Sequence, residues 1–215
     1  MTTIERVANR TILKYFLLII FFHVGLFLQQ VSASNSLDVT NLRTEYKTNP
    51  IGIDAAQPRL SWEIISVKRN FIQEAYQIRV AASEKDLSRG KNLLWDSHKI
   101  SSEQSNQVVY NGSALKSMQR VYWQVKIWGK DGSASNWSKP AYWEMGLLKS
   151  SDWQAKWIIP KVKEDETISN PSPYLRNEFE IKKVIKSARA YITSHGLYEF
   201  HINGSKIGDQ LFTPG

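Results

Sequence analysis

The stretch from Val121 to Leu147, VYWQVKIWGKDGSASNWSKPAYWEMGL, restricts the fold more than any other part of this chain. Taken in twos, Trp123, Val125 and Ile127 fall on one face of a strand, and Tyr122, Gln124, Lys126 and Trp128 fall on the other. Gly129-Lys130-Asp131-Gly132 ends the run, its glycines allowing the positive φ that a tight reversal needs. After a Ser/Asn loop the chain is expected to return through Trp137, Tyr142 and Trp143 as a second strand beside the first. Two neighbouring strands this rich in aromatics form the core of a β-sandwich. Each buried Trp or Tyr removes roughly 150–250 Å² from water, so a few can hold a small sandwich together. The chain has no cysteine, which leaves neither a disulfide framework nor a Cys-based zinc site available.

The segments before this pair repeat the pattern. Leu37–Arg59 is rich in turn residues, and Pro50 and Pro58 hold their preceding residues extended, as an edge strand or irregular lead-in requires. Leu60, Trp62 and Ile64 alternate inward, as do Tyr76, Ile78 and Val80 within AYQIRVA. Leu93–Ser97 and Gln107–Tyr110 are shorter strand candidates. The stretch Glu84–Lys91 breaks the alternation; a helical turn is the alternative there, and it reads as a loop insertion. Trp62 and Trp123 have the plain role of filling the space between two sheets. Trp128 and Trp137, nearer the strand ends, are the candidates for sugar stacking, with packing the plainer reading because large aromatics are mostly core in small sandwiches.

The N-terminus bears on compartment. Arg6, Arg10 and Lys14 precede an apolar run from Tyr15 to Leu28, and Val31-Ser32-Ala33 places small residues before Ser34. This is the layout of a secretory signal peptide cleaved after Ala33. The fourteen residues of that run would span about 21 Å as a helix, short of the roughly 30 Å hydrocarbon core. Secreted or periplasmic localisation is therefore expected, with no stable membrane span after cleavage. The formal charge of +8 shrinks once this leader is set aside: it holds three of 28 basic residues and one of 20 acids, leaving 25 against 19, or +6. Those charges are scattered rather than clustered on a face, so no nucleic-acid partner is expected.

A second segment begins near Leu148. The polar stretch between Pro160 and Pro173 reads as a loop, and alternation resumes at Tyr174–Ile181 and Ala188–Thr193. Tyr198, Phe200 and Ile202 then alternate inward, and Asn203-Gly204 is a strong hairpin signal, because a type I′ turn needs positive φ at both central residues.

The order LSW, AYQIRVA, LLWDS, YWQVKIW-x-x-DG and NWS-x-P-A-Y-W-E-M-G resembles a fibronectin type III domain, more narrowly the one that opens many bacterial α-L-rhamnosidases. The text ARAYITSHGLYEFHINGSKIGDQLFTPG resembles the jelly-roll domain that follows it in that family. Gly196, Tyr198, Glu199, Asn203, Gly204, Ile207, Gly208, Asp209, Pro214 and Gly215 fill the family positions, and Leu197 is a soft departure. The expected fold is all-β. Its parts are a signal peptide (1–33), a fibronectin type III/immunoglobulin-like sandwich (34–147) and the first strands of a jelly-roll, carbohydrate-binding-like domain (148–215). About four strands are legible after Tyr174 where a jelly roll needs about eight, so the chain reads as the front of a longer protein.

The resemblance implies a secreted, inverting glycoside hydrolase that releases terminal α-L-rhamnose from plant glycosides or polysaccharides. Its catalytic acids would sit in a later helical barrel, leaving this chain alone inactive, and its partner would be a rhamnose-containing glycan. No catalytic residue is assigned here. Glu178 and Glu180 share a strand face near 7 Å apart, within the spacing an inverting pair of carboxyls uses, but any alternating strand produces this and a solvated face is the plainer reading. His195 and His201 lack a third ligand for a metal. Asn203 and Asp209 are calcium candidates, against the plainer roles of a turn former and a turn acceptor. The alternative is a stand-alone secreted carbohydrate-binding or adhesion protein built of a fibronectin-like and a lectin-like sandwich.

Overall fold

The structure is a computed structural model and describes residues 37–161, 165, 167–209, 211 and 213. The signal-peptide expectation for residues 1–33 lies outside the described residues. The described chain divides into two units that meet between Ala155 and Lys156.

The first unit is a two-sheet β-sandwich. One sheet has the order β1 (Leu37–Thr44), β3 (Arg59–Ser66), β7 (Val108–Val109). The other runs β2 (Ile51–Ile53), β9 (Ala141–Met145), β8 (Arg120–Gly129), β4 (Gln73–Ala81), β5 (Leu93–Asp96), with β6 (Ile100–Ser101) also paired to β4. All pairings are antiparallel except β2 with β9. The strand β8 lies at the centre because it pairs with β4 along almost its whole length and with β9 at its start.

Alternation sorts the two faces as expected. Val121, Trp123, Val125 and Ile127 of β8 are fully buried, and Leu60, Trp62, Ile78, Val80 and Trp143 join them in one core from both sheets. Trp62 meets Tyr76 edge-on with ring centroids 5.3 Å apart, and its indole N–H donates to Gln73 Oε1 at 3.1 Å. Gln73 is itself buried and donates onward to the carbonyls of Ser102 and Gln104 at 3.0 and 2.8 Å, so no part of this buried amide is left unpaired.

Two local expectations are corrected. Glu84–Lys91 is not a loop: Glu84–Arg89 forms a short helix, α1. Ser83 caps it, accepting from Asp86 N–H, and Gly90 closes it at φ 62°. The buried Leu87 supplies the packing that six residues of propensity could not. Trp137 also lies outside the return strand, which starts only at Ala141. The chain before it follows β8 through two serines, whose own N–H groups, at 135 and 138, donate to the Ile127 and Val125 carbonyls at 3.0 and 2.9 Å. Ser135 Oγ and Ser138 Oγ accept from the N–H groups of Ile127 and Val125 at 3.0 and 3.1 Å. Those hydroxyls take the place of the return carbonyls of a regular ladder, so the pairing is half backbone and half side chain and no strand forms.

Residues 148–155, expected to open the second segment, are tied to the first unit. Ser117 Oγ bonds the carboxylate of Asp152 and accepts from Leu148 N–H at 2.9 Å.

In the second unit the hairpin is present: β10 (His201–Ile202) pairs with β11 (Ser205–Lys206), turning through Asn203 at φ 49° and Gly204 at φ 81°. Ile207 N–H reaches Phe200 O at 2.8 Å, and Tyr198 N–H reaches Thr213 O at 3.0 Å, so pairing continues raggedly on both sides of the turn. Tyr174–Ile181 and Ala188–Thr193 are not strands. An extended segment becomes a strand only by pairing its backbone, and these find no ladder among the described residues. Tyr198 and Phe200 are half-buried, while Ile202, expected inward, is exposed.

Candidate functional site

The side of the larger sheet that faces away from the core carries an organised set of charged and aromatic side chains. The even-numbered residues of β8, from Arg120 to Trp128, point there because their odd-numbered neighbours are the core. Register adds their partners: Tyr142 beside Tyr122, Glu144 beside Arg120, Gln77 beside Lys126, and Arg79 beside Gln124, with Asp96 next to Arg79 on the following strand.

Three cation–aromatic stacks result. The Arg120 guanidinium lies 4.4 Å from the Tyr142 ring and bonds Glu144 at 2.9 Å. That of Arg79 lies 4.5 Å from the Trp137 ring. Both Lys99 and Lys126 reach Trp128, at 4.9 and 5.3 Å. Gln124, between the first two stacks, is buried and lies within 3.5 Å of the Leu87 carbonyl of α1. Each stack sets a cation against the negative face of a ring.

Arg79 is the most constrained of these cations. Its Nε donates to Asp96 Oδ2 at 3.0 Å, and Asp96 Oδ1 accepts from Gln77 at 2.7 Å and from His98 N–H at 2.9 Å. A side chain at Gly90 would come within 2.9 Å of Arg79 Nη1, so the guanidinium passes beneath the bare backbone that caps α1. Burial pushes the Asp96 carboxyl up, but the bonds from Gln77, His98 and Arg79 and the Arg79 charge outweigh it and hold the group below the ordinary carboxylate range. Asp96 is thus an ionised structural acceptor rather than a proton donor.

The residues singled out in the sequence fall as follows. Trp128 and Trp137 both lie on this cation-bearing face, each with a cation at its ring. Glu178 is exposed and paired with Arg176, and Glu180 is exposed too, neither lying on a strand. The shared strand face that would have brought these two together is not formed. His195 stacks on Trp157 with centroids 4.1 Å apart, and His201 Nε2 lies 3.4 Å from Glu199 Oε2. Asn203 occupies the left-handed turn position and is exposed, as is Asp209. Among the described residues no group of three or more His, Cys, Asp or Glu is placed to hold a metal ion. Sequence reasoning missed Arg79 and Lys99. Only the β4–β8 register and the loop after β5 bring them to the aromatics, although Lys126-x-Trp128 was visible as a same-face pair.

The two-sheet topology, the Trp-rich central strand and the crossing from β1 to β9 through parallel β2 define an immunoglobulin-like β-sandwich. Residues 39–149 match the family described as Rha78A-like, N-terminal immunoglobulin domain, and residues 183–215 match the alpha-L-rhamnosidase N-terminal domain. The chain belongs to the first of these families, and with the second match it corresponds to the N-terminal portion of α-L-rhamnosidases. An alpha-L-rhamnosidase of Formosa agariphila is 38% identical over 219 residues, covering 97% of this chain but 23% of that protein. The crystal structure of the Streptomyces avermitilis alpha-L-rhamnosidase complexed with L-rhamnose is 47% identical with a TM-score of 0.55, covering 57% of this chain and 12% of that one. The alpha-L-rhamnosidase from Dictyoglumus thermophilum gives 31% identity and a TM-score of 0.56, covering 58% and 14%. The chain thus spans less than a quarter of the length of these relatives.

Proposed function

We propose that this chain is the non-catalytic front of a secreted or periplasmic α-L-rhamnosidase, an inverting glycoside hydrolase acting on terminal α-L-rhamnose of plant glycosides or polysaccharides. The observation that carries the reading is the succession of two rhamnosidase N-terminal domains along a chain that covers 23% of a relative of that name. The charge layout of residues 1–33 supports export. Hydrolysis of a glycoside needs an acid and a base, or nucleophile, positioned about the anomeric carbon. The carboxylates on the organised face of the sandwich, Asp96 and Glu144, are each engaged by an arginine instead. The sandwich therefore acts as a folded spacer, and the chemistry belongs to a helical barrel further along the parent protein.

The test is to assay the purified 215-residue chain and the longer gene product side by side on an aryl α-L-rhamnoside. Nitrophenol release by the longer protein alone is the expected result. Release by the short chain, or none by either, overturns the reading.

A further inference from the structure

Three cationic groups on the outer face of the larger sheet have stacking partners but unfilled hydrogen-bonding capacity. Among the described residues Arg79 donates a hydrogen bond only from Nε, leaving its Nη1 and Nη2 edge without an acceptor. Lys99 and Lys126 lie over Trp128 and take part in no described ion pair. Lys126 is two residues along β8 from Gln124, the partner of Arg79, so the Arg79 and Lys126 positions are diagonal neighbours roughly 7–8 Å apart. A guanidinium held by Asp96, Trp137 and the Gly90 backbone has little rotamer freedom left to lose when it takes a ligand.

We propose that this face, centred on Arg79, Lys126 and Lys99, docks a carboxylate-bearing polysaccharide: an extended chain of uronate and neutral sugars. The planar Nη edge of Arg79 suits a carboxylate, which it can meet with two parallel N–H···O bonds. The two lysines provide point charges for a neighbouring uronate, and the flanking Trp128 and Trp137 provide apolar surface against the sugar rings. Asp96 and Glu144 lie on the same face, within the stacks. They make it a poor match for the dense phosphate charge of nucleic acid, one per ~1.7 Å of duplex. A polymer carrying a charge on only some of its sugars can place its neutral units beside them. This surface stands independently of the rhamnosidase reading, because it uses only residues of the sandwich.

The experiment is native affinity electrophoresis of the 215-residue chain through gels containing polygalacturonate, neutral dextran or double-stranded DNA. Retardation by polygalacturonate and not by dextran is expected. The variant Lys99→Glu/Lys126→Glu should weaken it by about tenfold or more, the loss of one or two charge-assisted bonds. The charge-matched control Lys47→Glu/Lys116→Glu, at exposed positions off these strands, should leave it within about twofold. Arg79→Lys, checked for folding by its melting curve, keeps the charge but loses the fork and should also bind more weakly. No retardation by polygalacturonate overturns the proposal. So does equal weakening in the control pair, or stronger retardation by DNA than by polygalacturonate.

Discussion

The Tyr110 hydroxyl donates to the Ser113 carbonyl at 2.8 Å, and the tight bend between them closes only because residue 112 is glycine. A Cβ at Gly112 would sit 2.5 Å from both that hydroxyl oxygen and Trp95 Cβ. Tyr110 is buried edge-on against Trp95 and Trp143, at 5.3 and 5.6 Å, and burial pushes its phenol up to about 12. Gly112→Ala should therefore destabilise the sandwich by about 1–3 kcal/mol through overpacking. Tyr110→Phe should cost about 1 kcal/mol, for one lost hydrogen bond. Denaturant unfolding of the two variants tests the order: a phenylalanine variant less stable than the alanine one would mean that the bend relaxes more easily than its contacts indicate.

Trp123 sits at the centre of the core with no exposed surface. Its replacement by alanine should cost about 3–5 kcal/mol, measurable as a lower unfolding midpoint. Its indole N–H has no acceptor among the described residues, so Trp123→Phe should lose less than alanine does. An alanine variant of near-wild-type stability would contradict the packing described for β8.

Asp96 sets a pH dependence. Its folded-state pKa is depressed, so the stability it contributes is fully present above the unfolded-state value near 3.9 and is lost as pH falls through the lower folded value. Thermal melts from pH 6 to pH 2 should show Asp96→Asn destabilised at the upper end. The gap from wild type should narrow once pH drops below about 4. A constant gap across that range would show that the variant's loss comes from geometry and not from charge.

The sandwich should fold without the second unit. Its core draws on both sheets, it ends in the Ser117–Asp152 tie, and domains of about 100 residues commonly fold alone. Residues 36–155 expressed alone should melt in one cooperative transition. Proteolysis of the whole chain should cut in the stretch 160–173 and leave this fragment intact. A resistant fragment containing His201 through Asp209 would show instead that the hairpin unit closes by itself, although Phe179 and Leu211 are 76% and 73% exposed.

Much of the fold was legible in order along the chain because strand alternation and turn chemistry are local. The inward set Leu60, Trp62, Tyr76, Ile78, Val80, Trp123, Val125 and Ile127 follows from period two alone. The Asn203-Gly204 turn follows from the φ that its residues tolerate. Helix α1 had readable punctuation in Ser83, Asp86 and Gly90, but its six residues are too few for periodicity to outvote the surrounding strands.

Tertiary structure decided the rest, and the reason is the same in each case. Alternation says that a segment wants to be a strand, but pairing decides whether it becomes one. Tyr174–Ile181 and Ala188–Thr193 alternate as well as β4 does, yet lack a ladder among the described residues. The serines at 135 and 138 each give β8 a backbone N–H donor and a side-chain acceptor, which no local pattern announces. Arg79 and Trp128 share one face because of the register between β4 and β8, and the loops that carry Lys99 and Trp137 bring a cation to one ring and a ring to the other cation. The sequence by itself determined which faces are apolar and where the chain turns. Only the pairing of distant strands decided which polar groups became neighbours, because that register depends on packing both sheets at once.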